Sequence, residues 1–324
     1  ATESSYQVIT NRSFDSDHNV LNQKVINYLD ASGLVVLDVQ EIRNLSFDTR
    51  GNVLEQRIAT FTDELETTLL DVKVILNEGL DALGNASKVT IRKYRSGSVD
   101  GEVINYSNFV DASVITTASF DLRGNALAQT VEKFRAEDLT NKVETQAISN
   151  APYDFHDRAA VSNIVTTNSA GDIVDKQVIT YQSYDQYGNV LDQTIARTDA
   201  LNNAIDYKVI HNTYTDPIAA RRGNAKTSEI TRYAGDMVDA AKLIDFQRIE
   251  NVSFDAIGNI TLQEISLEVG GKLARFTRIE NSDISNYGDA ATQKITTWST
   301  DDLGVKLATE SSYQVITNRS FDSD

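Results

Sequence analysis

Residues able to do chemistry are few in this chain and do not gather along it. The three histidines, His18, His156 and His211, stand far apart, and there is no cysteine. That removes disulfides, thiolate nucleophiles and zinc–thiolate sites together. No spacing sets a serine beside a histidine and a carboxylate as nucleophile, base and orienter, so no catalytic residue and no bound organic cofactor is expected. What does recur is aspartate: Asp15, Asp48, Asp81, Asp121, Asp154, Asp185 and Asp255 each open a short polar segment between β-rich runs. A row of such carboxylates along one edge, with nearby carbonyls, is the ligand chemistry of Ca²⁺. Asp15, Asp48, Asp121, Asp185 and Asp255 are therefore the metal candidates. The competing reading, a side chain capping its own turn, takes precedence, because no Asp-x-Asp-x-Asp loop accompanies them.

The elements that position these aspartates are themselves repeated. The segments FDSDHN (14–19), FDTRGN (47–52), LDALGN (80–85), FDLRGN (120–125), YDFHDR (153–158), YDQYGN (184–189) and FDAIGN (254–259) share one frame. Two weaker copies pair Asp216 with Arg222-Gly223-Asn224 across an insert, and place ISNYGD at 284–289. In Asp-x-x-Gly-Asn the aspartate accepts from the backbone two residues on, and the glycine takes the positive-φ place that closes a tight turn with a bulge. Asp48-Gly51-Asn52, Asp121-Gly124-Asn125, Asp185-Gly188-Asn189 and Asp255-Gly258-Asn259 are the turn residues so assigned.

The flanks hold the same frame. Isoleucine lies six residues before each aspartate-equivalent, as in Ile9, Ile42, Ile75 and Ile249, and asparagine four before, as in Asn11, Asn44, Asn77 and Asn251, with Thr117 and Tyr181 as exceptions. Glutamine lies four residues after the asparagine-equivalent, as in Gln23, Gln56, Gln129, Gln193 and Gln263, with Val89, Ser162 and Ser228 as exceptions. Even offsets thus carry Ile, Asn and Gln while odd ones carry many charges, the period of a strand with one watered side. Amides repeated at one height can satisfy one another along a ladder. The Ile/Asn/Gln face is expected to be enclosed but not oily, with charge on the other. The second connection of each copy varies, as in 63–68, 96–102 and 234–239, and is expected to be a loop. Arg221-Arg222 in the insert is a solvated loop or a lateral contact.

Residues 1–17 return letter for letter at 308–324, an offset of 307 residues. The expected organisation is one unit of nine hairpins of about 34 residues over 1–307, followed by the start of an identical unit at 308–324. The alternative, an overlap added to a single unit, still presupposes a periodic object. The fold class expected is all-β. Eighteen strands at roughly 4.8 Å cannot stay flat, so the antiparallel sheet should curl into a tube or spiral shell; the alternative is a parallel β-solenoid with one copy per coil. Thirty Lys and Arg stand against 47 Asp and Glu, a net charge of −17, which argues against nucleic acid and anionic lipid as partners. No apolar run approaches the ~20 residues of a membrane helix, and any targeting segment is expected outside this stretch.

The Phe/Tyr-Asp-x-x-Gly-Asn turn, most closely Tyr153-Asp154 and Tyr184-Asp185-Gln186-Tyr187-Gly188-Asn189, resembles the YD (RHS) repeat. The resemblance spans the whole chain, although Phe replaces Tyr in most copies and Asn follows Gly where that family often has Arg. It implies a spiralling β shell of the kind found in bacterial surface proteins, toxins and teneurins, and carries over no catalytic residue. The function expected is a structural module of a long extracellular or cell-surface filament, not an enzyme, with further copies of the repeat in the same chain as partners and lateral fibre contacts besides. The alternatives are an adhesin that stacks glycans on Tyr28, Phe61, Tyr94 and Tyr233, and a shell around a cargo or toxin.

Overall fold

The structure, a computed structural model, describes residues 6–28, 31–284 and 290–318. It is all-β, with nineteen strands, one single-turn helix and one 3₁₀ turn among the described residues. The chain divides into two compact units, with the boundary between Asp175 and Lys176.

The first unit holds β1 (Tyr6–Phe14), β2 (Val20–Tyr28), β3 (Val36–Phe47), β4 (Val53–Phe61), β5 (Leu69–Leu80), β6 (Ala86–Asp100), β7 (Val103–Phe120), β8 (Ala126–Phe134), β9 (Lys142–Asn150) and β10 (Val161–Asn168). From β1 to β9 each pairs antiparallel with its successor. The second holds β11 (Ile173–Tyr184), which starts at the boundary, then β12 (Val190–Thr198), β13 (Ala204–Thr213), β14 (Thr227–Ala234), β15 (Leu243–Phe254), β16 (Ile260–Val269), β17 (Lys272–Ile284), β18 (Ala290–Ser299) and β19 (Ser312–Thr317). These too pair antiparallel in order.

This pairing rules out the parallel solenoid. The positive-φ residue at each turn, Gly51 at 82° for example, reverses the chain, so a strand meets its own partner rather than the equivalent strand of the next copy. The registers are uniform: Ile42 faces Ile58, Ile75 faces Ile91, Ile148 faces Ile164 and Ile249 faces Ile265. The copy at 284–289 lies largely outside the described residues.

Residues 96–102 are not a loop. Strands β6 and β7 run on past the sheet as a two-stranded arm, with Ser96 facing Ser107 and Asp100 facing Val103 across a turn at Gly101. The alternation of Val99, Ile104 and Tyr106 explains it, because these side chains have an apolar surface to cover. The arm lies over the odd-offset face of the first unit and encloses a core of Val39, Ala59, Phe61, Val72, Val74, Tyr94 and Ile104. Gly97 permits the approach: a Cβ there would stand 2.4 Å from the Asn105 carbonyl oxygen and 2.7 Å from Val72 Cγ2. The core therefore sits on the face that the sequence marks as charged. Its charges are drawn inward with it: Glu41 and Arg43 are buried, with Arg43 Nη1 3.0 Å and Arg12 Nη1 2.9 Å from Glu41 Oε2. Arg43 Nη2 also donates to the Gly101 carbonyl at the tip of the arm, at 2.7 Å.

Candidate functional site

Each turn aspartate spends its carboxylate on its own turn. Asp48 Oδ1 accepts from the backbone of Arg50 at 2.8 Å and of Asn52 at 2.9 Å, and Oδ2 accepts from Asn52 Nδ2 at 2.9 Å. The same three bonds recur at Asp15, Asp81, Asp121, Asp185 and Asp255. Asp154 uses Arg158 in place of the asparagine, with Nε at 2.8 Å. These donors favour the charged form. The Asn52 amide and the turn backbone hold the Asp48 carboxyl down at about 2, and the Arg158 side chain does so at Asp154; Asp15, Asp81 and Asp121 are lowered by the same kinds of bond. The calcium candidates are thus each turned into an N–H cradle, and among the described residues no three His, Asp or Glu side chains gather closely enough to hold a metal ion.

Successive turns nest. A Cβ on Gly51 would stand 2.5 Å from Asn19 Oδ1, and one on Gly124 2.7 Å from Asn85 Oδ1, so glycine here serves both the positive φ and the contact with the preceding copy. Where Asp157 replaces it, its carboxylate accepts from Asn125 Nδ2 at 2.7 Å. The insert after Asp216 stays in this edge. Asp216 caps the helix α1 (Pro217–Arg221), accepting from Ile218 and Ala219 at 2.9 Å. Asn189 Nδ2 reaches the Ala220 carbonyl at 2.7 Å, and Arg222 Nη1 reaches the Ile257 carbonyl at 3.0 Å and Asn259 Oδ1 at 2.8 Å. Arg222 is half-buried and ties one turn to the next.

Beside the turns runs the amide row. Within a copy, Gln23 Nε2 donates to Asn11 Oδ1 at 2.8 Å, Gln56 to Asn44 at 2.7 Å and Gln263 to Asn251 at 2.8 Å. Gln129 instead meets Thr117 Oγ1 at 3.2 Å, Gln193 faces Tyr181, and Asn77 faces the apolar Val89. Between copies, the asparagine Nδ2 donates to the first carbonyl after the preceding turn: Asn44 to Val20 at 2.8 Å, Asn77 to Val53 at 3.0 Å, Asn212 to Val190 at 3.0 Å and Asn251 to Ala225 at 2.7 Å. One amide so closes its own hairpin and staples it to the previous one.

A second row on the same face escaped the sequence reading. Beyond the isoleucines, Asn27 faces Asp38, Lys93 faces Asp111, Lys133 faces Glu144, Arg197 faces Asp206 and Arg232 faces Asp245. Lys133 lies 3.0 Å from Glu144, Arg197 lies 3.4 Å from Asp206, and Arg232 holds Asp245 with two nitrogens. Its signal was present in the acidic residue ten before most aspartate-equivalents, Asp38, Asp71, Asp111, Glu144, Asp175, Asp206 and Asp245, with Ser5 and Arg275 as the exceptions. The Ile face is therefore not free of charge, and the odd face is not free of apolar side chains.

The aromatic row lies on that odd face. Phe61 and Tyr94 are 5% and 3% exposed, beneath the arm and the second-edge loops. The Tyr94 hydroxyl donates to Glu137 Oε1 at 2.6 Å and the Tyr28 hydroxyl to Glu64 Oε1 at 2.6 Å. Burial, with the Glu137 bond, raises the Tyr94 phenol, and the Glu64 bond raises that of Tyr28. Among the histidines, His211 Nδ1 lies 2.6 Å from Asp192 Oδ1 while the Ser183 hydroxyl donates to Asp192 Oδ2 at 2.5 Å. The carboxylate stands between serine and histidine, so the imidazole does not receive the serine proton.

No protein-family model matches the chain, and no curated protein matches its sequence. Among solved structures it is similar to a porin-like protein from Bacteroides uniformis ATCC 8492, at TM-score 0.29 and 9% identity over 86% of this chain and 97% of that one. It is also similar to the Tc holotoxin pore of Photorhabdus luminescens, at TM-score 0.19 and 12% identity over 91% of this chain, and to a TcdB2–TccC3 structure at TM-score 0.16 and 12% identity. It spans 20% of the length of each of the latter two. No helix among the described residues is long and apolar enough to cross a membrane.

Proposed function

We propose that this chain is a structural module of a long extracellular or cell-surface filament, built by tandem covalent repetition of a 307-residue unit whose sheet curls into a tube or spiral shell. The observation that carries the reading is the staple between copies. Most steps of the meander are joined by the same asparagine-to-carbonyl bond, as at Asn44–Val20, Asn77–Val53, Asn212–Val190 and Asn251–Ala225, the copies with Thr117 and Tyr181 at that position being the exceptions, so one copy prepares the seat of the next. The acidic charge keeps such an array soluble, and the resemblance to YD repeats is to proteins of this architecture. Within this reading the turn aspartates are structural and no residue is assigned a catalytic role. A glycan-stacking adhesin would need a row of open ring faces; Phe61 and Tyr94 are buried, which breaks the row, while Tyr28 and Tyr233 are half-buried. Negative-stain or cryo-electron microscopy of the native material tests the proposal: long unbranched filaments are expected, and discrete globules would refute it.

A further inference from the structure

The charged row on the Ile face is interrupted at one place in the second unit. Its complete steps set a basic residue opposite an acidic one, as Arg197 faces Asp206 and Arg232 faces Asp245. Between β16 and β17 the step reads Leu267 opposite Arg275, so the position ten before the aspartate-equivalent turns from acid to base. A second departure lies on β13. Eight before the aspartate-equivalent, where Gln7, Gln40, Gln146, Gln177 and Gln247 recur, stands Lys208, directly opposite Arg232. Like charges so placed destabilise a strand pair. Lys73 occupies the same position in the first unit and lies 3.7 Å from Asp71. For Lys208 the equivalent carboxylate is Asp206, which lies 3.4 Å from Arg197 instead. Among the described residues the side chains of Lys208 and Arg275 have no hydrogen bond or ion pair.

Both departures line one cavity of about 350 Å³, together with Arg232, Asp245 and Gln247 and with Ile210 and Ile230 in its wall. Three cations meet one carboxylate there, in a chain of net charge −17, and Arg232 already holds that carboxylate with two nitrogens. Lys208 and Arg275 stand on strands four steps apart, roughly 19 Å at about 4.8 Å per strand, so the two unpaired charges are held apart along the cavity rather than joined at one point. Between them stands Gln247, flanked across the ladder by Ile230 and Leu267, its amide without a hydrogen-bond partner among the described residues. We propose that this cavity binds a molecule with two separated carboxylates, one received by Lys208 and the other by Arg275, its middle lying over Gln247 and the isoleucines. Arginine offers a carboxylate a planar fork and lysine a compact charge; a single small anion satisfies only one of them. Two sources supply this chemistry, a linear dicarboxylic acid and successive rings of an acidic saccharide. The inference goes beyond the proposed array and does not depend on it.

Isothermal titration calorimetry of the full 324-residue chain, with suberate and with digalacturonate as separate probes, tests the site. At least one probe should bind saturably, about tenfold or more tighter than acetate or inorganic phosphate, and more weakly as salt is raised. Binding of suberate assigns the aliphatic source and binding of digalacturonate the saccharide; either supports the site. Lys208→Gln and Arg275→Asp restore residues that other copies carry at these positions, so the fold accommodates them. Each should weaken binding by about tenfold, the loss of one charge-assisted bond, and the double variant should abolish it. Arg248→Gln, which removes a cation paired with Glu229 on the opposite face, should leave binding unchanged. Failure of both probes to bind, phosphate binding as tightly as the dicarboxylates, or single variants that bind like the unaltered chain would overturn the proposal. None of these results turns on whether filaments form.

Discussion

The residue that precedes the isoleucine of each copy is valine in both units at Val74 and Val178, and its fate differs. Val74 is 6% exposed, in the core under the arm of β6 and β7, while Val178 is 43% exposed. The local pattern around the two is the same. What differs is whether the chain lays a second layer on that face. In the first unit it does, and aliphatic and aromatic side chains at odd offsets become a core with a buried carboxylate and guanidinium among them. The lesson is that a half-polar repeat face has no fixed inside: a strand excursion of about a dozen residues decides it.

The largest effect that would break this comparison is expected at the arm. Ile104→Ala should destabilise the first unit by about 2–5 kcal/mol in urea unfolding followed by circular dichroism, and a loss near zero would mean the arm is not seated. Gly97→Val should force the arm off through overpacking, costing about 1–3 kcal/mol, and limited proteolysis should then cut between Arg95 and Asn108. Truncation at the paired positions sharpens the contrast: Val74→Ala should cost about 2 kcal/mol, Val178→Ala no more than about 0.5 kcal/mol.

The amide row allows the same comparison between a buried and an exposed position. Asn251→Ala strands the Gln263 amide and the Ala225 carbonyl, a loss of about 1–3 kcal/mol. Asn11→Ala, at an exposed position, should cost less, and equal losses in denaturant titrations would argue against the staple. The smallest effect is the dependence on acid. The folded-state carboxyls of Asp48 and Asp154 lie at about 2, below the unfolded value, so their contribution is complete above the usual carboxylate range and is lost as pH falls through about 2. The melting temperature should therefore hold between pH 7 and 5 and fall between pH 4 and 2. Asp48→Asn should flatten that fall slightly, and an unchanged slope would detach the turns from the acid response.

Much of the hairpin was legible in the sequence because it is local. Asp48, Gly51 and Asn52 lie within one turn, where side-chain acceptor, positive φ and backbone donor meet whatever surrounds them. The antiparallel sense followed from the same turn. The charged row was legible in principle, since Asp38, Asp71, Asp111, Glu144, Asp206 and Asp245 keep one offset, but its basic partners vary between Lys93, Lys133, Arg197 and Arg232 and are absent at Asn27 and Thr60, which blurs the pattern. The insert after Asp216 reads as a loop because a one-turn helix has no periodicity to show.

The amino-acid order alone determined where the chain turns, which residues share a strand face and that Asn11 and Gln23 stand at one height, since each depends on neighbours within a few bonds or one hairpin. Only the tertiary structure decided which face is covered, that Glu41 and Arg43 go inside and that Arg222 ties one turn to the next. Those outcomes depend on segments separated by up to some sixty residues, Arg43 and Gly101 among them, and burial is a property of what arrives from elsewhere rather than of the strand itself.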